Sequence, residues 1–73
     1  MRLLVDGDGR ARIVSAAGDT LRTLSPPAGC SFSHADTPST LVCRGEAAVD
    51  GWWDWRFSVD LETGAMERIG PAY

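Results

Sequence analysis

The stretch Trp52-Trp53-Asp54-Trp55-Arg56-Phe57-Ser58-Val59-Asp60 constrains the fold of this chain more than any other. From Trp53 onward, apolar and polar residues alternate strictly. A period of two belongs to a β-strand with one face buried. On a helix, residues 53, 55, 57 and 59 would be scattered around the axis instead of sharing a face. A strand is therefore predicted over 52–60. Trp53, Trp55, Phe57 and Val59 should point to the centre of the core, with Asp54, Arg56, Ser58 and Asp60 towards solvent. Trp52 stands beside a turn and falls on the polar side.

So much aromatic surface on one strand needs partner strands to cover it, and the rest of the chain supplies them. Short strands are predicted over 2–6, 10–14, 20–24, 40–44 and 65–69. In the third of these Leu21 should point inward and Arg22 outward. Gly7-Asp8-Gly9, Ala16-Ala17-Gly18-Asp19, Asp50-Gly51 and Glu62-Thr63-Gly64 separate them with turn chemistry. The first and last of these hairpins echo one another: Val5-Asp6 leads through Gly9 to Ile13, and Val59-Asp60 through Gly64 to Ile69. Residues 46–49 admit a short helical turn. Pro26 and Pro27 cannot donate to a ladder, so 25–40 reads as an irregular Pro/Ser/Thr-rich loop tethered to the core by Phe32. The expected architecture is all-β: a small antiparallel meander of five or six short strands. Closing as a curled sheet or small barrel would bury the tryptophans and remove an exposed edge.

At 73 residues and 44% hydrophobic composition, the chain has material for one small domain over 1–73. The net charge is −3, and all seven basic residues are arginine. These values argue against a multi-domain enzyme, a membrane span and a basic nucleic-acid tail. The first apolar run, Leu3-Leu4-Val5, is far shorter than the roughly 7–15 residues of a secretory signal, so a cytoplasmic protein is expected. A core this small also makes self-association through an edge or an aromatic face an expectation.

The densest set of reactive side chains is Ser31-Phe32-Ser33-His34-Ala35-Asp36. Nucleophilic catalysis needs a base at the hydroxyl and an orienting group behind the base. Adjacent residues of an extended segment point apart, so this segment reads as a solvated loop and the chain as non-enzymatic. Asp6 and Asp8 open like a calcium loop, but Arg10 and Ala17 occupy positions that need oxygen ligands. A hairpin turn accounts for them. Cys30 and Cys43 are compatible with a disulfide or with two unlinked thiols. With His34, and Asp36 as a poor fourth ligand, they form a weak zinc pattern, since only Cys30 and His34 are closely spaced. No cofactor motif is present and no small-molecule substrate is inferred.

The leading reading is a non-catalytic protein-binding module, such as a small inhibitor or accessory subunit, whose partner is another protein or a second copy. Tryptophan and arginine dominate binding hot spots. The candidate surface is therefore Trp52, Asp54 and Arg56, with Phe32 and His34 of the adjoining loop. Two alternatives remain. One is a small barrel binding nucleic acid through clustered Arg10, Arg12, Arg22, Arg44 and Arg56. The other is a small zinc protein.

Overall fold

The computed structural model describes residues 1–72. It contains seven strands: β1 (Arg2–Val5), β2 (Ala11–Val14), β3 (Thr20–Leu24), β4 (Cys30–Thr37), β5 (Thr40–Val49), β6 (Trp52–Val59) and β7 (Met66–Pro71). They form two antiparallel sheets, one ordered β1-β2-β3 and the other β4-β5-β6-β7. The all-β, antiparallel expectation holds. The strand count exceeds the expected five or six. The strands divide into two sheets instead of one meander, and among the described residues no pairing closes either sheet into a barrel.

Carboxylates and glycines set the hairpins. In the first turn Asp6 accepts through its Oδ1 from the amides of Asp8 and Arg10, at 2.9 and 3.1 Å. In the last, Asp60 Oδ1 accepts from the amides of Glu62 and Thr63, at 2.9 and 3.3 Å. Each aspartate thus stands in for a missing ladder partner, as an Asx turn does. This is the physical content of the echo between the two hairpins. Both turns end in a glycine with positive φ, Gly9 at 76° and Gly64 at 79°. Asp50 and Gly51, at φ 51° and 83°, form the two-residue connection between the register partners Val49 and Trp52. Positive φ at both central residues gives the twist a hairpin needs.

The inner faces of the two sheets share one core. Leu3, Ala11, Ile13 and Leu24 from the first sheet meet Phe32, Leu41, Cys43, Phe57 and Val59 from the second. A hydrogen bond from the Leu3 amide to Pro38 O, at 2.9 Å, links β1 to the β4–β5 turn.

Three expectations are corrected. The loop over 25–40 is largely the strand β4, and only 25–29 and the tight turn at 38–39 remain irregular. β4 is an edge strand that buries only Phe32 fully, so it carries little alternation for a reader to find. Residues 46–49 belong to β5 and not to a helical turn. There the register jumps from Arg44–Asp54 to Val49–Trp52, leaving 45–48 as a bulge. Leu21 is exposed, and it is Arg22 that pairs with the inward-facing Ile13. β3 is an edge strand, and a register shift between Ile13 and Val14 sets its facing.

Trp53 departs most from expectation. It lies on the alternation of Trp55, Phe57 and Val59 but is 45% exposed. Strands of 4, 4 and 5 residues cannot cover a sheet whose central strands run to 10 and 8. Trp53 lies past the covered portion.

Gly64 carries a steric demand as well as a conformational one. A Cβ there would collide with Arg22 Cδ and come within 3.2 Å of Leu24 Cδ2. Gly64→Ala should destabilise the fold by about 1–2 kcal/mol or more, the cost of forcing a side chain into the left-handed region. Gly7→Ala should stay within about 0.5 kcal/mol, because nothing lies within 4 Å of its Cβ position. Urea unfolding of the two variants against the parent measures the difference.

Candidate functional site

Strand alternation and register assemble a polar outer face on the four-stranded sheet. Arg44 pairs with Asp54, and Val42 is flanked by His34 on β4 and Arg56 on β6. A cross-strand pair shares a face, so His34, Val42, Arg44, Asp54 and Arg56 face the same way. Val42 is only 3% exposed despite lying opposite the core face. The side chains flanking it cover it, as long polar stems do.

Two ion pairs order this face. Arg56 Nε donates to Asp36 Oδ2 at 2.7 Å. Arg44 Nη1 lies 3.6 Å from Asp54 Oδ1. Both pairs are partly solvated, so each contributes at most about 1 kcal/mol. Their larger consequence is that both guanidiniums are already neutralised.

Of the predicted surface, Asp54, Arg56 and His34 do come together on this face. Trp52 is 40% exposed at the start of β6. Its carbonyl accepts from Trp55 Nε1 at 3.2 Å. Phe32 does not join them: it lies in the core, where it anchors β4 as the tether expectation required. The composite surface missed by sequence reading is at the β5–β6 hairpin. Val49, 44% exposed, is the register partner of Trp52, and Trp53 follows at 45%. The Arg44 guanidinium lies 5.8 Å from the Trp53 ring centre, just within cation–π range. The Asp-Gly turn was the signal that would have placed these side chains at a chain reversal.

The reactive segment on β4 differs from its expected arrangement. Ser33 Oγ and His34 Nδ1 are hydrogen-bonded at 3.1 Å, not turned apart. A register shift between Phe32 and His34 makes Ser33 the extra residue, which brings the two side chains together. Asp36, which would have to orient the imidazole in a triad, is held by Arg56 instead.

Cys30 and Cys43 are free thiols. Cys30 pairs with Gly45, and Cys43 pairs with Phe32, so both cysteines lie on the inner side of the sheet. His34, paired with Val42, lies on the other side. The sheet therefore separates the imidazole from the two thiols of the zinc pattern. Among the described residues, no group of three metal-ligating side chains is gathered. The five arginines proposed to cluster are also dispersed: Arg10 is exposed at the end of the first turn, where its amide donates to Asp6 Oδ1. Arg44 and Arg56 line the outer face of one sheet. Arg12 lies on the outer face of the other, where it donates to Thr20 Oγ1 at 3.3 Å. Arg22 reaches across to Glu62 O at 3.4 Å. Among the described residues, no helix is long and apolar enough to cross a membrane.

No protein-family model, curated protein or solved structure matches this chain.

Burial raises the Cys43 thiol from its ordinary 9.0 to about 11, with the neighbouring Cys30 adding to the shift. A pKa raised on folding favours the protonated fold. That contribution is complete below pH 9 and is lost as pH climbs through about 11. Urea unfolding between these pH values should show stability falling for the parent and a flatter profile for Cys43→Ala. At neutral pH, iodoacetamide should label half-buried Cys30 well ahead of Cys43, read by peptide mass spectrometry.

Proposed function

We propose that this chain is a non-catalytic protein-binding module, a small inhibitor or accessory subunit, acting through the β5–β6 hairpin and the adjoining outer face. One observation carries the reading: Val49, Trp52 and Trp53 are all substantially exposed at one hairpin. Scattered surface apolar residues are ordinary, whereas three large apolar side chains exposed at one chain reversal favour an interaction surface. Two tryptophans beside arginines have the composition of a binding hot spot. Asp54, Arg56, Asp36 and His34 continue from it as a polar rim, and rims of this kind set partner choice and register more than affinity.

The partner in this proposal is another protein or a second copy of the chain. The working compartment is the cytoplasm, where Cys30 and Cys43 would persist as thiols. The paired state of Arg44 and Arg56 weighs against phosphate-backbone binding, which draws on unneutralised positive charge.

The test is quantitative affinity capture, with sedimentation velocity to detect self-association. Trp52→Ala combined with Trp53→Ala should lower recovery of the specific partner, or of the dimer, by roughly 30-fold or more, as loss of a hot spot of about 2 kcal/mol implies. Ile69→Ala, at an exposed residue on the far edge strand, should leave recovery unchanged. Equal recovery for the tryptophan variant, with its thermal melt intact, would remove the hairpin from the proposal.

A further inference from the structure

The uncovered end of the four-stranded sheet leaves open space on its inner side. A cavity of about 460 Å³ lies there. Trp55 and Phe57 of β6 and Cys30 of β4 line it, with Pro27 from the connection between the sheets and Ala47 and Val49 from the bulged end of β5. The bulge builds the wall. Residues 45–48 stand opposite a single β6 residue, and the Glu46 amide donates to Gly29 O at 2.8 Å. The volume falls within the range of small-molecule sites, which are lined mainly by apolar side chains with a few placed polar groups.

Two charged residues border the cavity, Glu46 and Arg68. They belong to β5 and β7, on opposite sides of β6 in the sheet order. Glu46 turns towards Gly29, its Oε2 lying 3.9 Å from that residue's Cβ position. The Arg68 guanidinium lies 4.5 Å from the centre of the Trp55 ring. The ion pairs of the described residues are Arg44–Asp54 and Arg56–Asp36, so no carboxylate neutralises Arg68. Arg68 differs in this from the two arginines of the outer face. It is a cation steadied by a ring, at the mouth of an apolar cavity, with its hydrogen-bonding fork available.

We propose that this cavity binds a small apolar monocarboxylate, with an aromatic or branched aliphatic body against Trp55 and Phe57 and its carboxylate on Arg68. A guanidinium presents paired donors that match a carboxylate. Glu46 sets the orientation, because it repels the anionic end from the opposite side of the cavity. The site shares Val49 with the hairpin surface, but its argument rests on Trp55, Phe57 and Arg68 on the inner side of the sheet and not on the protein-binding reading.

The experiment is an amide-resolved NMR titration of the ¹⁵N-labelled full chain with 1-naphthylacetate and 4-phenylbutyrate, each beside its carboxamide. Saturable shifts are expected at Cys30, Ala47, Phe57 and Arg68, with each carboxylate binding roughly tenfold or more tightly than its carboxamide, the margin of a charge-assisted hydrogen bond. Arg68→Gln should bring that ratio close to one while the carboxamide affinity stays the same. Ala47→Phe, which fills the cavity from an exposed strand position, should abolish both. Carboxylate binding should also slow iodoacetamide labelling of Cys30. The proposal is overturned by the absence of saturable shifts, by equal affinity for acid and amide, by a preference that survives Arg68→Gln, or by shifts confined to the outer face. The spectrum of each variant reports whether it is folded before ligand is added.

Discussion

Strands of four to five residues are laid against strands of six to ten, and most features of this molecule follow from that mismatch. A sheet buries its apolar face only where a second layer covers it. Leu41, Cys43, Phe57 and Val59 lie under the short sheet, and the core is there. Trp55 is at the margin and Trp53 beyond it. The molecule is accordingly elongated, with extents of 39 × 22 × 19 Å. An overhang of this kind leaves inner-face aromatics half-covered, and the β5 bulge converts the open space beside them into a cavity. The exposed hairpin and the cavity are thus two consequences of one constraint.

The mismatch could be relieved by shortening β5 and β6, and the chain instead invests in holding them. The two-residue Asp50-Gly51 turn keeps the register tight at the far end. Gly45 lets the backbone fold sharply at the bulge. A Cβ there would meet Ala47 O at 3.1 Å, which is backbone and cannot swing aside. The Glu46–Gly29 hydrogen bond then ties the bulge to the connection between the sheets. A merely frayed hairpin end would have no need of these ties. An end that presents a surface or walls a cavity does need them, because a positioned site depends on rigid support.

The hairpins of the short sheet, the Asp-Gly turn and the inward facing of Phe57 and Val59 were legible in the sequence, since each rests on a local rule. Strand alternation reads as burial only when something covers the face. For Trp53, whether anything does depends on the length of strands some thirty to fifty positions earlier in the chain, which no local pattern encodes. β4 was hidden for a different reason. An edge strand with one fully buried side chain looks like a loop when two prolines precede it. Phe32 shows as a tether because a lone aromatic among polar residues needs burial, whereas the strand around it has no alternation to show. His34, Asp54 and Arg56 were placed on one surface by sequence. The pairing of Arg56 with Asp36 depends on the register shift between Ala35 and Thr37, a feature of packing with no signature in composition.

The absence of lysine takes on a sharper meaning against this structure. The chain has seven arginines and no other strong cation, and each of those best resolved by contact is committed differently. Arg56 and Arg44 are matched to carboxylates across strands. Arg22 spans from β3 to the turn after β6. Arg12 packs on the outer face of the short sheet with its Nε buried and unpartnered. Arg68 alone combines a ring contact, an adjoining apolar cavity and no carboxylate. Salt bridges at partly solvated positions add little to stability, so the pairing of Arg44 and Arg56 matters chiefly for where positive charge is neutralised. Of the arginines without a carboxylate partner among the described residues, Arg68 is the one that borders the apolar cavity, beside Trp55. Net charge alone gave no reason to look for an anion site on an acidic chain. The sorting of individual guanidiniums by their partners supplies that reason, and it locates the site on the face that the short sheet fails to cover.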